Sequence, residues 1–465
     1  MSSGSVIRMT APPAVYRQRR ARLAAALTRP LLIFAGHAPA RNYAANTYAF
    51  RAGSTYLYFG GPPLEHAALL IEPGSDGQNG CALIRPPQGP EDAVWMGPQP
   101  GDDELAEVAG LPKTALVAPD DLARFVAGRS VAGIVPPAPQ TLALARQLDI
   151  QEATPVELLA IVQLRLTKDE HELAAMRQAA RIAIDGQRAA LSAALPGRRE
   201  ADVAAAFYAV LVANDSRPSF TPIITIRGEV LHSHGYTNTM PAGALLLVDA
   251  GAEEPGGYAS DLTRTVPVGG KWTGVQRVLY DTVARACTAA VAACVPGARF
   301  RDVHDLAAEI ICEGLVEAGL LRGEPRELVQ RRAHTLFFTH GVGHLIGLDV
   351  HDMEDFGDLA GYAPGRTRRT AFGDKFLRLD RDLVAGMCLT IEPGIYLSPA
   401  VWRWHDLVSP LADAVDRSAV EELLEDEFGG IRVEQTICVR EAGGPEVLTA
   451  DMPTDADAIA PLVGV

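Results

Sequence analysis

The sequence predicts a two-domain α/β chain. An N-terminal α/β unit spans residues 1–166, and a C-terminal α+β unit of two similar halves spans 167–465. Three observations lead there. The chain has 465 residues, more than one ordinary core at roughly 150 residues per domain. Up to about residue 165, strand-like segments cut by Gly and Pro alternate with short helical segments. Beyond that point a pair of helices followed by apolar strands occurs twice, and Pro196-Gly197 and Pro296-Gly297 lie 100 positions apart (296 − 196 = 100).

In chain order, TYLYFG, AALLIEP and GCALIRPP read as strands, and DDELAEVAG and TLALARQLD as helices between them. The alternation implies a mostly parallel or mixed sheet with helices on its faces. The basic run RQRRAR at 17–22 continues into LAAAL and reads as the wet face of a helix. At Thr167-Lys168-Asp169-Glu170 a capping box opens a long Ala-rich helix over 169–195, with Leu173, Met176, Ala180 and Ile184 at helical spacing. A second helix is expected over 200–214, and the echoing pair over 275–295 and 302–318. The strand segments that follow are TPIITI, LLLVDAG and TRTVPVG in the first half, then LFFTHG, CLTIEPGIY and IRVEQTICV in the second.

Composition narrows the function. Hydrophobic residues make up 48% and charged residues 21%, the balance of a globular protein. Fifty-seven acidic against 42 basic side chains leave a net charge of −15, which argues against a nucleic-acid surface. No run of 18 apolar residues suggests a membrane span, and MSSGSVIRMT lacks the pattern of a secretory leader. The six cysteines form no C-x-x-C pair and read as reduced core thiols of a cytoplasmic protein.

Five candidate metal ligands fall on the strand segments of the C-terminal unit. They are Asp249 in LLLVDAG, Asp261 in DLTRTV, His344 in THGVGHLIGLDVHD, Glu392 in LTIEPG and Glu434 in GIRVEQ. An apolar strand carries a carboxylate inward only if something neutralises it, because an unpaired buried ion costs several kcal/mol. Four carboxylates balance two divalent cations. One imidazole among oxygen donors suits Mn²⁺, with Co²⁺, Zn²⁺ or Fe²⁺ as substitutes. Two such ions activate water and polarise a carbonyl, so the set reads as a hydrolase site.

The blocks VDAG, SDLTRTVPVGGKWT, HGVGHLIGLDVHD, LTIEPGIY and GIRVE, in this order, resemble the motifs of the Xaa-Pro aminopeptidase and Xaa-Pro dipeptidase (prolidase) branch of the pita-bread metallopeptidases. YRQRRARLAAAL and GSTYLYFGG are similar to that branch's N-terminal accessory domain. The resemblance implies a pseudo-twofold pita-bread catalytic domain and cleavage between a first residue and a following proline. It also implies roles: Asp249 on one metal, Asp261 and Glu434 bridging, His344 and Glu392 completing the second, and Glu392 doubling as proton shuttle. His232 stands 17 positions before Asp249 (249 − 232 = 17) and matches a substrate-side histidine. His340 and His351 match two more, and Arg432 an arginine near the bridging glutamate. A homodimer or homotetramer is implied as well.

The sequence departs from that pattern in places. Gln435 stands where an acidic residue is common, and is expected beside the ligands. The spacing from Asp249 to Asp261 is one residue longer than the resemblance implies. Residues 355–382 and 398–427 look inserted, as lids, oligomer contacts or solvated loops. A dipeptidase needs a cation for the substrate's carboxylate; Arg366, Arg368, Arg369 and Arg403 are the candidates in or beside these stretches. Three readings compete: a binding protein on the fold without metals, a creatinase-like amidinohydrolase, and a methionine aminopeptidase. The intact ligand set disfavours the first two, and the N-terminal domain the third.

Overall fold

The computed structural model of the chain describes residues 7–86 and 89–464. Residues 1–6, where a leader was sought, lie outside them. The chain divides into two compact units, Met1–Leu166 and Thr167–Val465.

The first unit is built on one six-stranded mixed sheet. Its strands are β1 (Leu31–Phe34), β2 (Ala68–Ile71), β3 (Cys81–Ile84), β4 (Leu116–Val117), β5 (Ala132–Ile134) and β6 (Gln151–Glu152), in the order β4-β3-β2-β1-β5-β6. β2 runs antiparallel to both neighbours, and the remaining pairs are parallel. One face packs Leu32, Phe34, Leu70 and Ile84 against Leu122, Val126 and Ala145 from helices.

Two expectations fail in this unit. TYLYFG is not a strand: Ser54–Tyr58 forms a short helix bounded by Gly53 and Gly60. Its side chains are buried on several faces, so the apolar run carries no period that separates strand from helix. The run RQRRAR does lie on a helix, Pro13–Ala24, but it is not a wholly wet face. Arg19 and Arg20 are buried. Arg20 donates to the carbonyls of Gly77 (2.7 Å), Phe59 (2.9 Å) and Gly110 (3.3 Å), and Arg19 to that of Tyr58 (3.1 Å). A guanidinium carries five N–H donors, enough to tie several loops at one point.

The second unit repeats itself. Helices Glu170–Ser192 and Glu200–Ala213 form one pair, Gly274–Ala293 and Phe300–Glu317 the other. The turns between them make the same hydrogen bonds. Gly197 N–H donates to the Met240 carbonyl and Gly297 N–H to that of Leu383, both at 2.8 Å. Met240 returns a bond to Arg198, and Leu383 to Ala298, again at 2.8 Å. The twofold echo in the sequence is therefore an echo in backbone pairing. The first helix starts at Glu170, one residue later than expected, and its capping residue lies two positions after Thr167. Asp169 is the cap, accepting from the His171 and Glu172 amides, while Glu172 accepts from the Asp169 amide.

Short strands carry the middle of this unit. β7 (Arg217–Pro218) pairs with β10 (Ala252–Glu253). β8 (Ile223–Thr225), β9 (Leu245–Asp249) and β11 (Thr263–Pro267) form an antiparallel sheet in the order β11-β9-β8. β12 (Cys388–Ile391), β15 (Gln435–Cys438) and β16 (Glu446–Val447) form its counterpart, and β13 (Gly394–Tyr396) pairs with β14 (Gly430–Arg432). LFFTHG is not a strand. Ala333–Leu336 is a 3₁₀ turn, and the chain then runs irregularly through the interior, with the Phe337 carbonyl accepting from the Tyr396 amide at 2.9 Å. Among the described residues no helix is long and apolar enough to cross a membrane. All six cysteines are free and buried.

Candidate metal centre and active site

The five expected ligands arise where strands end or break. Asp249 is the last residue of β9, in register with Ile223 on one side and Thr263 on the other. Asp261 precedes β11, Glu392 follows β12, and Glu434 sits in the two-residue gap between β14 and β15. His344 is not on a strand, contrary to expectation; it lies in an irregular segment stitched to β12. The Thr390 amide donates to the His344 carbonyl (2.9 Å), the Glu392 amide to that of Val342 (2.8 Å), and the His344 amide to the Thr390 hydroxyl (3.1 Å). Gly343 permits this approach, since a Cβ there would stand 1.9 Å from the Thr390 carbonyl oxygen. Gly251 in VDAG is constrained in the same way by the Ser260 carbonyl, also at 1.9 Å. The two sheets meet through the Glu434 amide donating to the Thr263 carbonyl (3.1 Å) and the Thr265 hydroxyl donating to that of Arg432 (3.1 Å).

All nine expected site residues line one pocket of about 630 Å³: His232, Asp249, Asp261, His340, His344, His351, Glu392, Arg432 and Glu434. Donor atoms of Asp261, His344 and Glu434 lie within 4.8 Å of one another. His344 Nε2 is 3.5 Å from Asp261 and 3.6 Å from Glu392, while its Nδ1 meets the Leu345 carbonyl at 3.0 Å. That second bond orients the ring with Nε2 toward the carboxylates. Asp261 Oδ1 is buried with no hydrogen-bond partner.

Charge in the pocket is crowded. Burial first, and then the neighbouring carboxylate Asp261, push Asp249 up to about 6 although Arg432 opposes the shift. Burial pushes Glu392 up to about 7 against the pull of His344 and Arg432, and holds Glu434 well above the carboxylate range. Burial disfavours the His344 imidazolium, yet the facing Asp261 and Glu392 raise its pKa overall. Carboxylates that must hold protons to coexist, beside an unpartnered buried oxygen, form a donor set that fits divalent cations.

Around this set runs a hydrogen-bonded chain. The buried Arg432 pairs through Nη2 with Asp249, and donates through Nη1 to the Tyr396 hydroxyl (2.7 Å) and through Nε to the Thr263 hydroxyl (3.2 Å). Thr263 donates to Glu434 (2.7 Å), and the Tyr396 hydroxyl meets His340 Nε2 at 2.8 Å. His340 Nδ1 faces the Gly341 carbonyl at 2.8 Å. The His351 ring stands edge-on to His344 with centroids 4.2 Å apart. His232 is exposed and lies near-parallel to His234, with centroids 6.5 Å apart.

Several residues in this arrangement were missed from the sequence. Tyr396 was inside a recognised block, but its role as the link between His340 and Arg432 has no sequence signal. His234 lines the pocket; its one signal was the position two residues after His232. The stretch 355–382 reaches the site, contributing Phe372, Phe376 and Arg378 to the lining. None of Arg366, Arg368, Arg369 or Arg403 lines the pocket. Arg366 pairs with Asp382 (2.7 Å), Arg368 with Asp358 (2.6 Å) and Arg369 with Asp374 (3.6 Å). Besides Arg432, the arginine in the lining is Arg378, paired with Glu354. Gln435 is not beside the ligands; the alternation of the strand turns it away, and its Oε1 accepts from the Thr449 hydroxyl.

Comparison with known proteins agrees with this geometry. Residues 174–441 match Metallopeptidase family M24, and residues 16–129 match the Aminopeptidase P N-terminal domain. The chain is 30% identical over 440 residues to the Xaa-Pro aminopeptidase of Escherichia coli, covering 90% of each. It is 30% identical over 424 residues to a probable Xaa-Pro aminopeptidase of Neosartorya fischeri, covering 87% of each. The solved structure of E. coli aminopeptidase P with the inhibitor Pro-Leu superimposes with a TM-score of 0.80 at 27% identity, covering 97% of this chain and 98% of that one. Proline aminopeptidase P II from Yersinia pestis gives a TM-score of 0.79 at 26% identity, covering 97% and 99%. The chain belongs to metallopeptidase family M24, in its aminopeptidase P branch.

Proposed function

We propose that this protein is a metal-dependent Xaa-Pro aminopeptidase, which releases the first residue of a peptide when proline follows it. The observation that carries the reading is the convergence of four carboxylates and His344 on one pocket, with Asp261 Oδ1 buried and unpartnered. Residues 1–166 serve as the accessory domain and 167–465 as the dinuclear peptidase domain. Asp249, Asp261, His344, Glu392 and Glu434 would hold the two ions, with Asp249 serving one, His344 and Glu392 the other, and Asp261 and Glu434 shared. Mn²⁺ suits this oxygen-rich set. When bound, two such ions lower the pKa of water and polarise the scissile carbonyl.

The chain's own groups do the rest. Glu392, whose carboxylate stands 3.6 Å from His344 and 3.7 Å from His340, would take a proton and return it to the leaving nitrogen. Burial keeps His351 neutral, pushed down to about 2, while partial burial and then the charges of Arg432 and Arg378 lower His232 as well. A neutral imidazole donates one N–H, which suits these two for the developing oxyanion and the leaving group. His340 is fixed by Gly341 and Tyr396 and forms a wall beside Glu392, 3.7 Å away. Phe220, Leu231 and Val401 give the pocket apolar sides that accept a pyrrolidine ring, which has no N–H to satisfy. Arg378 is already matched by Glu354, which supports an aminopeptidase over a dipeptidase that must spend a cation on the proline carboxylate.

The test compares Ala-Pro-Ala, Ala-Pro and Ala-Ala-Ala after chelation and Mn²⁺ reconstitution. Chelation abolishes activity, about two Mn²⁺ per chain restore it, and alanine is released from Ala-Pro-Ala only. Cleavage of Ala-Pro alone identifies a dipeptidase instead, and full activity without metal refutes the assignment. The likeness to the branch supports a homodimer or homotetramer, which light scattering at working concentration checks; a single-chain mass counts against it. Six free buried thiols support a reducing, cytoplasmic setting, which fractionation of the native host tests.

A further inference from the structure

A second cluster of metal-binding donors lies outside the pocket. His304 belongs to helix Phe300–Glu317, His334 to the 3₁₀ turn Ala333–Leu336, and Asp374 to the stretch 355–382. A donor atom from each comes within 4.8 Å of the other two. His304 is 4% exposed and His334 3%. The Nδ1 atom of each is buried without a hydrogen-bond partner. Leaving a buried polar nitrogen unmatched is costly. Two such nitrogens, on histidines clustered with one carboxylate, are therefore an expensive way to fill a core.

We propose that His304, His334 and Asp374 form a separate mononuclear site for Zn²⁺, distinct from the carboxylate-rich pocket. The donor chemistry selects the ion. Two imidazoles and one carboxylate are a softer set than four carboxylates and one imidazole, and three protein ligands plus water complete a tetrahedral Zn²⁺. Burial holds both imidazoles neutral, at about 4 for His304 and about 3 for His334, which is the state that binds metal. Arg332 and Arg369 approach Asp374 only at 3.7 and 3.6 Å, both toward Oδ2. These are ion pairs without hydrogen-bond contact, and a ligated carboxylate can keep them. The site also has a place in the fold. Asp374 lies between Phe372 and Phe376, which line the active-site pocket, so the ion ties the inserted stretch to the helix core.

The test uses the full chain with D261N and E434Q, which remove the shared ligands of the other site. After exposure to Zn²⁺ and gel filtration, metal analysis should find one ion per chain. H304Q, H334Q and D374N, each added to that background, should weaken Zn²⁺ binding by at least about 100-fold. Each should also erase the rise in melting temperature that Zn²⁺ produces. D374N guards against misfolding, because its shape is unchanged and its site is partly open. Should the double variant not fold, Zn²⁺ titration of the otherwise native chain should give three ions, against two for D374N. A folded double variant that retains no Zn²⁺ overturns the proposal, and so does Zn²⁺ retained by all three ligand variants.

Discussion

Removing the metals should invert the normal pH dependence of this protein. In the metal-free chain Glu392 titrates at about 7 instead of 4.5, mainly because burial penalises its charge. The folded state thus holds a proton that the unfolded chain releases between those values. Stability is therefore greatest below about pH 4.5 and declines as pH rises through 7. A carboxyl moved from 4.5 to about 7, at about 1.36 kcal/mol for each tenfold change in proton affinity, contributes on the order of 3 kcal/mol for this group alone. Asp249, raised to about 6, and Glu434, raised well above its usual range, act in the same direction. The perturbation is chelation combined with Glu392→Gln, an isosteric change that cannot ionise. The assay is urea unfolding at pH 4.5 and pH 8, followed by tryptophan emission. Trp272, Trp402 and Trp404 lie in the second unit, whereas Trp95 of the first is 82% exposed and changes little on unfolding. The variant should gain about 1 M in urea midpoint over the wild type between pH 4.5 and 8, using m of about 2–3 kcal/mol per M. Mn²⁺ should erase the gap, because bound metal displaces the protons and its affinity rises with pH. An identical pH dependence for the two metal-free proteins would show that Glu392 is not the strained carboxylate derived above.

The remaining expectations concern single contacts. After chelation and Mn²⁺ reconstitution, Asp261→Ala or Glu434→Ala should leave fewer than one Mn²⁺ per chain by elemental analysis, while His232→Ala should keep its Mn²⁺ and lower kcat by about 10²-fold. Tyr396→Phe removes the hydroxyl shared by His340 and Arg432, so calorimetry should show a loss of about 1–3 kcal/mol with metal content unchanged. Lys168 and Asp352 form a buried ion pair at 2.8 Å, each side chain 1% exposed. Lys168→Met should cost about 3–5 kcal/mol, and adding Asp352→Leu should recover much of that, because the lone charge is what destabilises.

The candidate ligands stand out in the sequence because their chemistry conflicts with their surroundings. LLLVDAG is apolar up to a carboxylate, and no packing argument accounts for Asp249 without a counter-charge. The same conflict marks Glu392 in CLTIEPG and Glu434 in GIRVEQ. The helix pairs were legible from their 100-residue offset, and the backbone hydrogen bonds at Gly197 and Gly297 repeat with it. Where sequence reading failed, a tertiary contact reversed a local preference. TYLYFG and LFFTHG carry strand-forming residues, but each is buried on more than one face, and burial of that kind leaves no period to read. Arg19 and Arg20 look solvated in RQRRAR, because nothing local shows that the carbonyls of Phe59, Gly77 and Gly110 converge on Arg20 and that of Tyr58 meets Arg19.

The inserted stretch 355–382 shows the limit most clearly, because charge alone cannot tell pairing from function. Four arginines there and beyond were candidates for reading a substrate carboxylate, and three of them pair with aspartates from the same stretch: Arg366 with Asp382, Arg368 with Asp358, Arg369 with Asp374. A loop that neutralises itself this way is held in shape by local pairs, so its apolar side chains are free to face the pocket. Phe372 and Phe376 do so. The arginines of this stretch therefore act mainly on the shape of the pocket wall, and only Arg378 borders the space a peptide would fill.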